Sequence, residues 1–479
     1  MTALLLTALL WHAGLPAGAL PAQTGPGTAP PQQPAPVSPP FQPEVSDPLL
    51  EPVSPAPVQV GSWDEALALL RQQSTDLRAA LARVESAAGL RRVALAGLLP
   101  TLNGSAGVQY NVLDPSTAFI GGGIGGGGIG GGVGAGGGDG QRPTAPLATA
   151  TVTASLPLLD WGAIQSLRSA NASRRAAELS LEETRRQLTG ELARALARVA
   201  SSERLSEVNR VNLRSALERL ALAQRRLELG AGTQLDVVRL RQDAESARSL
   251  VVSGDNTLLQ ARDTLALILG QEQPVGLARG VSLEELLNRG RAQCQNLQAL
   301  DQRPDLAASR AQLEAAGHDV SAAQAQYLPT LAAQSTVFGF TVDPGFARVP
   351  VWNIGAVLTL PFYEGGARGG LVRQARAQEE AARQDVVARQ RGATVEVRQT
   401  RREVGVAGAE LEIATRNREL AAENDRLTRR SFEVGTGTSQ DLVVSAAALR
   451  QAELNLVVRE FQVFQARIEA FLVEAACDW

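Results

Sequence analysis

Lysine is absent from this 479-residue chain, in which all 46 basic residues are arginine. That excludes P-loop chemistry, Schiff-base chemistry and a lysine general base. Histidine is nearly absent as well: only His12 and His318 occur, and His12 lies in an apolar amino-terminal run. Histidine metal sites and Ser-His-Asp triads have almost no material here, so no cofactor is expected and enzyme activity is the least supported class. A basic excess is missing too, because the formal net charge is −3 with arginine and acid interleaved. Nucleic acid is therefore not an expected partner. Composition leans toward a scaffold, channel or binding protein.

Only one run of apolar residues stands out at the amino terminus, Thr2 to Trp11, and it is too short to span a bilayer. Ala17-Gly18-Ala19 follows and fits a signal-peptidase site, so residues 1–22 are expected to be an export signal, although no Lys or Arg precedes the run. Residues 23–59 are rich in Pro, Gln and Ser and read as a disordered linker.

The rest of the chain repeats. Asp76-Leu77-Arg78-Ala79 through Leu99-Pro100-Thr101-Leu102 matches Asp305-Leu306-Ala307-Ala308 through Leu328-Pro329-Thr330-Leu331, an offset of 229. Leu156-Pro157-Leu158-Leu159-Asp160-Trp161-Gly162 matches Leu360-Pro361-Phe362-Tyr363-Glu364-Gly365-Gly366 at 204. The 25-residue difference is accounted for by the run from Gly121 to Gly140, where 15 of 20 residues are glycine; it lacks Lys and reads as a flexible loop rather than a phosphate cradle. A third pair, Leu227 to Thr233 with Asp236 and Phe432 to Thr438 with Asp441, has offset 205. The expected organisation is a first repeat over 60–270, an inter-repeat segment over 271–302 and a second repeat over 303–479.

Within each repeat, extended segments alternate as two-faced strands do. Strands are expected at about 101–113, 147–158, 330–342 and 351–363. Ala148, Ala150, Val152, Ala154 and Leu156 oppose Thr149, Thr151, Thr153 and Ser155; the segment from Leu331 to Val342 alternates poorly. About ten residues of apolar-out, polar-in alternation is the pattern of a tilted transmembrane strand. Trp161, Trp352, Phe362 and Tyr363 suit the membrane interface. Helical hairpins are expected over 163–269 and 367–475, with a heptad seam at Leu442, Leu449, Leu456 and Val463.

Four strands cannot close a barrel, and an open edge in lipid is costly, so several chains must share one. Three copies give twelve strands and a water-filled bore. The expected fold is mainly α with membrane β: a trimeric 12-stranded barrel continued by a long helical tube. Asn103, Ser105, Gln109, Asn111, Thr149, Thr151 and Thr153 would line the lumen, and the glycine run and Asp343 to Pro350 would be the exposed loops.

The Asp-Leu-x-Ala helix ending in Leu-Pro-Thr-Leu, the two Leu-Pro strand exits and the Gly-x-Gly-Thr turns followed by Asp resemble the TolC family of outer-membrane efflux channels, over roughly residues 60 to 475. The resemblance implies a homotrimer in outer-membrane lipid with a periplasmic α-barrel. It implies a passive exit duct for a periplasmic adaptor and an inner-membrane transporter. By the same resemblance, Leu229, Gly230, Gly232, Thr233, Leu235, Val434, Gly435, Gly437 and Thr438 form the tips that meet the adaptor. As local geometry, those glycines and threonines read as helix stops and caps. Asp236 and Asp441 fall where the family has an acidic periplasmic entrance; a first-turn Asp that stabilises the helix dipole is the equal alternative. Both Cys294 and Cys477 are placed near the collar by the resemblance, in an oxidising compartment, so a disulfide between them is expected. The other class of function is a periplasmic coiled-coil adaptor or structural protein, which would share the hairpins but has no need of alternating strands.

Overall fold

The computed structural model describes residues 43–110, 112, 142–143, 146–343, 351–477 and 479. The export signal, residues 23–42, Asn111, the Gly121 to Gly140 run and residues 344–350 lie outside these. Strand β1 (Val58–Val60) leads into α1 (Trp63–Gln73) and α2 (Thr75–Ala96). Next come β2 (Thr101–Gln109), β3 (Arg142–Pro143), β4 (Leu147–Leu159) and the long α3 (Trp161–Glu228), which returns as α4 (Gln234–Leu269). The middle of the chain holds β5 (Val275–Leu277), α5 (Leu283–Ala292), β6 (Cys294–Asn296) and α6 (Pro304–Ala325). Last are β7 (Thr330–Phe340), β8 (Val342–Asp343), β9 (Val351–Thr359), α7 (Ala367–Glu433), α8 (Ser439–Leu472) and β10 (Ala475–Cys477).

The long helices follow from what they omit. α3 contains no proline, and its 68 residues run about 100 Å at the usual rise. Asp160 starts it by accepting the Ala163 N–H at 2.9 Å. Its one interior glycine, Gly190, lies where the end of α8 comes closest: a β-carbon there would sit 3.1 Å from Leu472 Cδ1. None of the helices described is long and apolar enough to cross a membrane.

The main apolar core gathers Leu70, Leu192, Leu196, Leu265 and Leu269 with Val60, Trp63, Val275, Ile468 and both cysteines. Two small sheets are built into this region: β1 pairs with β5 in parallel, and β10 pairs with β6 antiparallel. Farther down the hairpins, α7 presents Val406, Ile413, Leu420, Leu427 and Val434 to solvent, one apolar residue every seven. That is the spacing of a coiled-coil seam, here left uncovered by the described residues.

Residues 44–59 differ from the disordered linker expected of them. Asp47 caps the turn at Pro48–Leu50 by accepting the Leu49 N–H, and it pairs with Arg248 at 2.9 Å. Arg210 and Arg262 donate to the carbonyls of Glu51 and Ser54 at 3.0 and 2.8 Å. Val45, Leu49 and Leu50 pack on Leu213, Ala216, Ala244 and Val251, so a few apolar anchors and four arginine contacts and caps tie a proline-rich segment to the α3/α4 hairpin. Its composition would otherwise leave it unfolded.

Four strands form one antiparallel sheet in the order β2-β4-β7-β9. Two strand ends fall short of expectation. β9 stops at Thr359, because Pro361 has no N–H to donate to a ladder, and Phe362 and Tyr363 lie in irregular chain. β2 stops at Gln109 rather than near 113. The second hairpin likewise ends at Leu472 instead of 475, where the chain turns into β10 and pairs with β6.

Candidate functional site

Directly opposed residues in a ladder share a face, so the register sorts the side chains. Asn103, Thr153, Thr336 and Asn353 form one row across all four strands, and Ser105, Thr151, Phe338 and Val351 form the next. Thr149 stands opposite Gly107, and Gln109 opposite Leu147. The other face carries Leu102, Val108, Val152, Leu156, Ile354 and Leu358, all exposed. On β4, Thr151 is 8% exposed and its neighbour Val152 is 44% exposed, whereas β2 and β9 are exposed on both faces. Trp352 stands on the apolar face, and its indole N–H reaches Ser335 Oγ at 2.9 Å, which satisfies the one hydroxyl that β7 places on that face. Trp161 opens α3 half-exposed, while Phe362 and Tyr363 are among the most exposed aromatics described.

At the opposite end of the long helices the two hairpin turns are built alike. Gly230 and Gly435 take φ of 73° and 85°, a region that a β-carbon disfavours. Gly232 and Gly437 are needed for a different reason: a β-carbon would stand 3.1 Å from Leu227 N and 3.0 Å from Phe432 N. Gly435→Ala is expected to destabilise its hairpin by about 1–2 kcal/mol, read as faster protease cleavage at the turn. An unchanged rate would show that the turn carries no such requirement.

Thr233 and Thr438 then cap α4 and α8, and each closes a capping box with an aspartate. The Thr233 hydroxyl donates to Asp236 Oδ2 at 2.7 Å and accepts the Asp236 N–H at 3.2 Å; Thr438 and Asp441 repeat both contacts. Burial pushes the Asp236 carboxyl up, but hydrogen bonds from Ser439 and Thr233 and the Arg239 charge outweigh it and hold it below the usual range. Hydrogen bonds from the Thr438 hydroxyl and N–H do the same for Asp441. Both folded values are depressed, so the caps contribute fully above the ordinary aspartate pKa and are lost as pH falls through the lowered ones. Leu229, Leu235 and Val434 stand exposed beside these turns.

Between the two tips sit residues from all four helices, only some of which the repeat and the heptad seam mark. Phe432 is buried with Ala223, Val237, Leu240 and Leu442. Arg226 crosses from α3 to donate to the Phe432 carbonyl at 2.8 Å, with its guanidinium 4.5 Å from that ring's centre. Farther up, Asp243 on α4 accepts from Arg219 on α3 at 3.1 Å and from Arg450 on α8 at 3.0 Å. Asp425 on α7 accepts from Arg429 at 3.1 Å and from the Ser445 hydroxyl at 3.3 Å. All four helices are thereby joined by charge buried just above the tips.

Cys294 and Cys477 face each other across the β6–β10 ladder and are joined by a disulfide. His318 is placed on α6 with Nδ1 3.2 Å from Gln165 Oε1, far from both tips in sequence.

Comparison with known proteins gives similarities to one family model, two relatives and a solved structure. The family model described as "Outer membrane efflux protein" matches residues 66–271 and 297–469. The probable outer membrane lipoprotein SilC of Salmonella typhimurium is 25% identical over 61% of this chain and 59% of its own length. The pyoverdine export outer membrane protein OpmQ of Pseudomonas aeruginosa is 28% identical over 62% of this chain and 60% of its own. The chain thus spans about three fifths of these relatives. The crystal structure of the outer membrane protein VceC from Vibrio cholerae superposes with a TM-score of 0.69 at 18% identity, covering 87% of this chain and 97% of that one.

Proposed function

We propose that this chain, which belongs to the outer membrane efflux protein family, is the exit duct of a tripartite efflux or type I secretion system, assembled as a homotrimer. The family consists of transport channels rather than enzymes, and the chain is an outer-membrane protein with its helical part in the periplasm. One observation carries the reading: a four-stranded sheet with one apolar face whose outer strands, β2 and β9, each pair on one side only. In lipid every unpaired backbone group costs several kcal/mol, so β2 of one copy needs β9 of the next. Two copies would close an eight-stranded barrel filled by its own side chains, whereas three leave a water-filled bore of twelve strands. The unpartnered seam on α7 supports the same assembly, since neighbouring hairpins would cover it. Each repeat, 60–270 and 303–479, supplies two strands and one hairpin to the shared walls.

In this reading Asn103, Ser105, Gln109, Thr149, Thr151 and Thr153 face the bore, and Trp161, Trp352, Phe362 and Tyr363 face the membrane interface. The exposed Leu229, Leu235 and Val434, with the glycines and threonines of both turns, meet a periplasmic adaptor. An inner-membrane transporter supplies the energy, and the duct conducts passively. The test is the detergent-corrected mass, by light scattering, of protein extracted from outer membranes. Three chains per particle are expected; a monomer released without detergent would sink the duct and promote a periplasmic adaptor.

Asp236 and Asp441, three copies of each, make the entrance acidic and favour cations. Asp236→Ala with Asp441→Ala is therefore expected to lower cation selectivity, seen as a reversal potential shifted toward zero in bilayers under a salt gradient. An unchanged potential would leave the two carboxylates only their role in the caps.

A further inference from the structure

We propose that the outer part of the bore carries an apolar contact ring, built on Phe338 and Phe340 with Val351, that holds the aromatic or aliphatic parts of amphiphilic organic cargo. The proposal rests on the duct reading and adds a cargo class to it.

The observation is a change of character along one face of the sheet. The row Thr101, Ser155, Gln334 and Gly355 and the row Asn103, Thr153, Thr336 and Asn353 are polar or backbone across all four strands. One row farther toward the loop ends, Phe338 stands between Thr151 and Val351; one row beyond that, Phe340 stands opposite Thr149. The two rings lie on the same face of β7, with centroids 5.7 Å apart and planes tilted by 33°. This is contact geometry for aromatic pairs. Val351, opposite Phe338 on β9, is 42% exposed, and both rings are partly exposed. No charged side chain occurs in these rows.

A strand that only had to close a barrel would keep its rings on the lipid side, where Trp352, Ile354 and Leu358 already are. Rings on the polar face cost hydration of the bore, and their contact with one another still leaves both partly exposed to whatever passes. Three copies would set six phenylalanines around the mouth, interleaved with the Thr149 and Thr151 hydroxyls. That mixture suits a molecule with an apolar body and a polar or charged edge. A hydrated inorganic ion finds no partner there, since the ring offers neither charge nor a soft ligand.

The experiment uses the full chain reconstituted in planar bilayers with potassium chloride, and two cations added from the loop side. Tetraphenylphosphonium carries four aromatic rings; tetramethylammonium carries none. Tetraphenylphosphonium is expected to reduce the current and tetramethylammonium to leave it unchanged. Phe338→Ser with Phe340→Ser is expected to raise the concentration of tetraphenylphosphonium needed for half block about tenfold, while conductance in salt alone stays within about twofold. If the double variant does not insert, Phe340→Leu, which keeps an apolar residue but removes the ring, is expected to weaken block in the same direction. Equal block in wild type and variant, or a conducting wild type that tetraphenylphosphonium does not block, would overturn the ring alone. A wild type that does not conduct would overturn the duct reading itself.

Discussion

Replacing either Cys294 or Cys477 by serine is expected to lower the unfolding free energy by about 3–5 kcal/mol. The bond joins residues 183 apart in sequence, and in the chain-entropy account a closed loop that long restricts the unfolded ensemble about as much as a single disulfide can. It sits where the loss is felt most: both cysteines belong to the main apolar core, and β10 has no partner strand except β6. Without the bond the last residues keep three ladder positions and the Trp479 indole contact with Thr189 Oγ1 at 2.8 Å. Denaturation in detergent, followed by tryptophan emission, measures the change, because Trp63 is buried in the same core. Dithiothreitol on the wild type should reproduce the serine variants. A midpoint indifferent to both treatments would mean that the collar is held by packing alone.

Asp243→Ala is expected to be comparably severe but confined to the lower hairpins. Arg219 and Asp243 are almost entirely buried, and Arg450 nearly so. Burial pushes the Arg219 guanidinium down, while the Asp243 and Asp425 charges hold it up. Removing the shared carboxylate takes the hydrogen-bonded anion from two buried guanidinium groups and leaves Arg219 only the Asp425 charge, a change that typically costs about 3–5 kcal/mol. Replacing all three residues by apolar ones of similar volume should recover most of that loss, because no charge is then left unpaired. Protease cleavage near the tips is the readout: it should accelerate in Asp243→Ala and return toward wild type in the triple variant, while the disulfide-linked collar fragment survives in both. Equal cleavage of Asp243→Ala and wild type would mean that the ion cluster does not bind the hairpins together.

Much of the helical part was legible in the sequence, because its signals are local. A stretch without proline, an Asp before it and a Gly-x-Gly-Thr after it are sufficient for α3, and Thr233 with Asp236 writes its own capping box. The alternation of β4 was equally plain. β7 was obscured because Ser335 stands on the apolar face and Phe338 and Phe340 on the polar one, which blurs a period of two. Their partners resolve it: Trp352 satisfies the hydroxyl, and the rings face one another. The ion cluster left no local trace. Arg and Asp recur along the long helices, and only packing separates the buried Asp243 from an exposed carboxylate such as Glu245, two residues on. Order in residues 44–59 was hidden for the same reason, since each of its anchors lies on a helix some 150 residues or more downstream.

That distance sets a schedule for the chain as it is exported. A protein crossing a membrane amino terminus first presents Asp47 and Val58 long before Arg248 and Val275, the residues they join. The early segment must wait, unpaired, while more than 200 residues follow it, and the disulfide forms only when Cys477 has arrived. Slow, non-local closure of this kind leaves strands and apolar seams open in transit. The chain is thus a late-locking molecule, one whose passage through the periplasm depends on being kept soluble until its two ends meet.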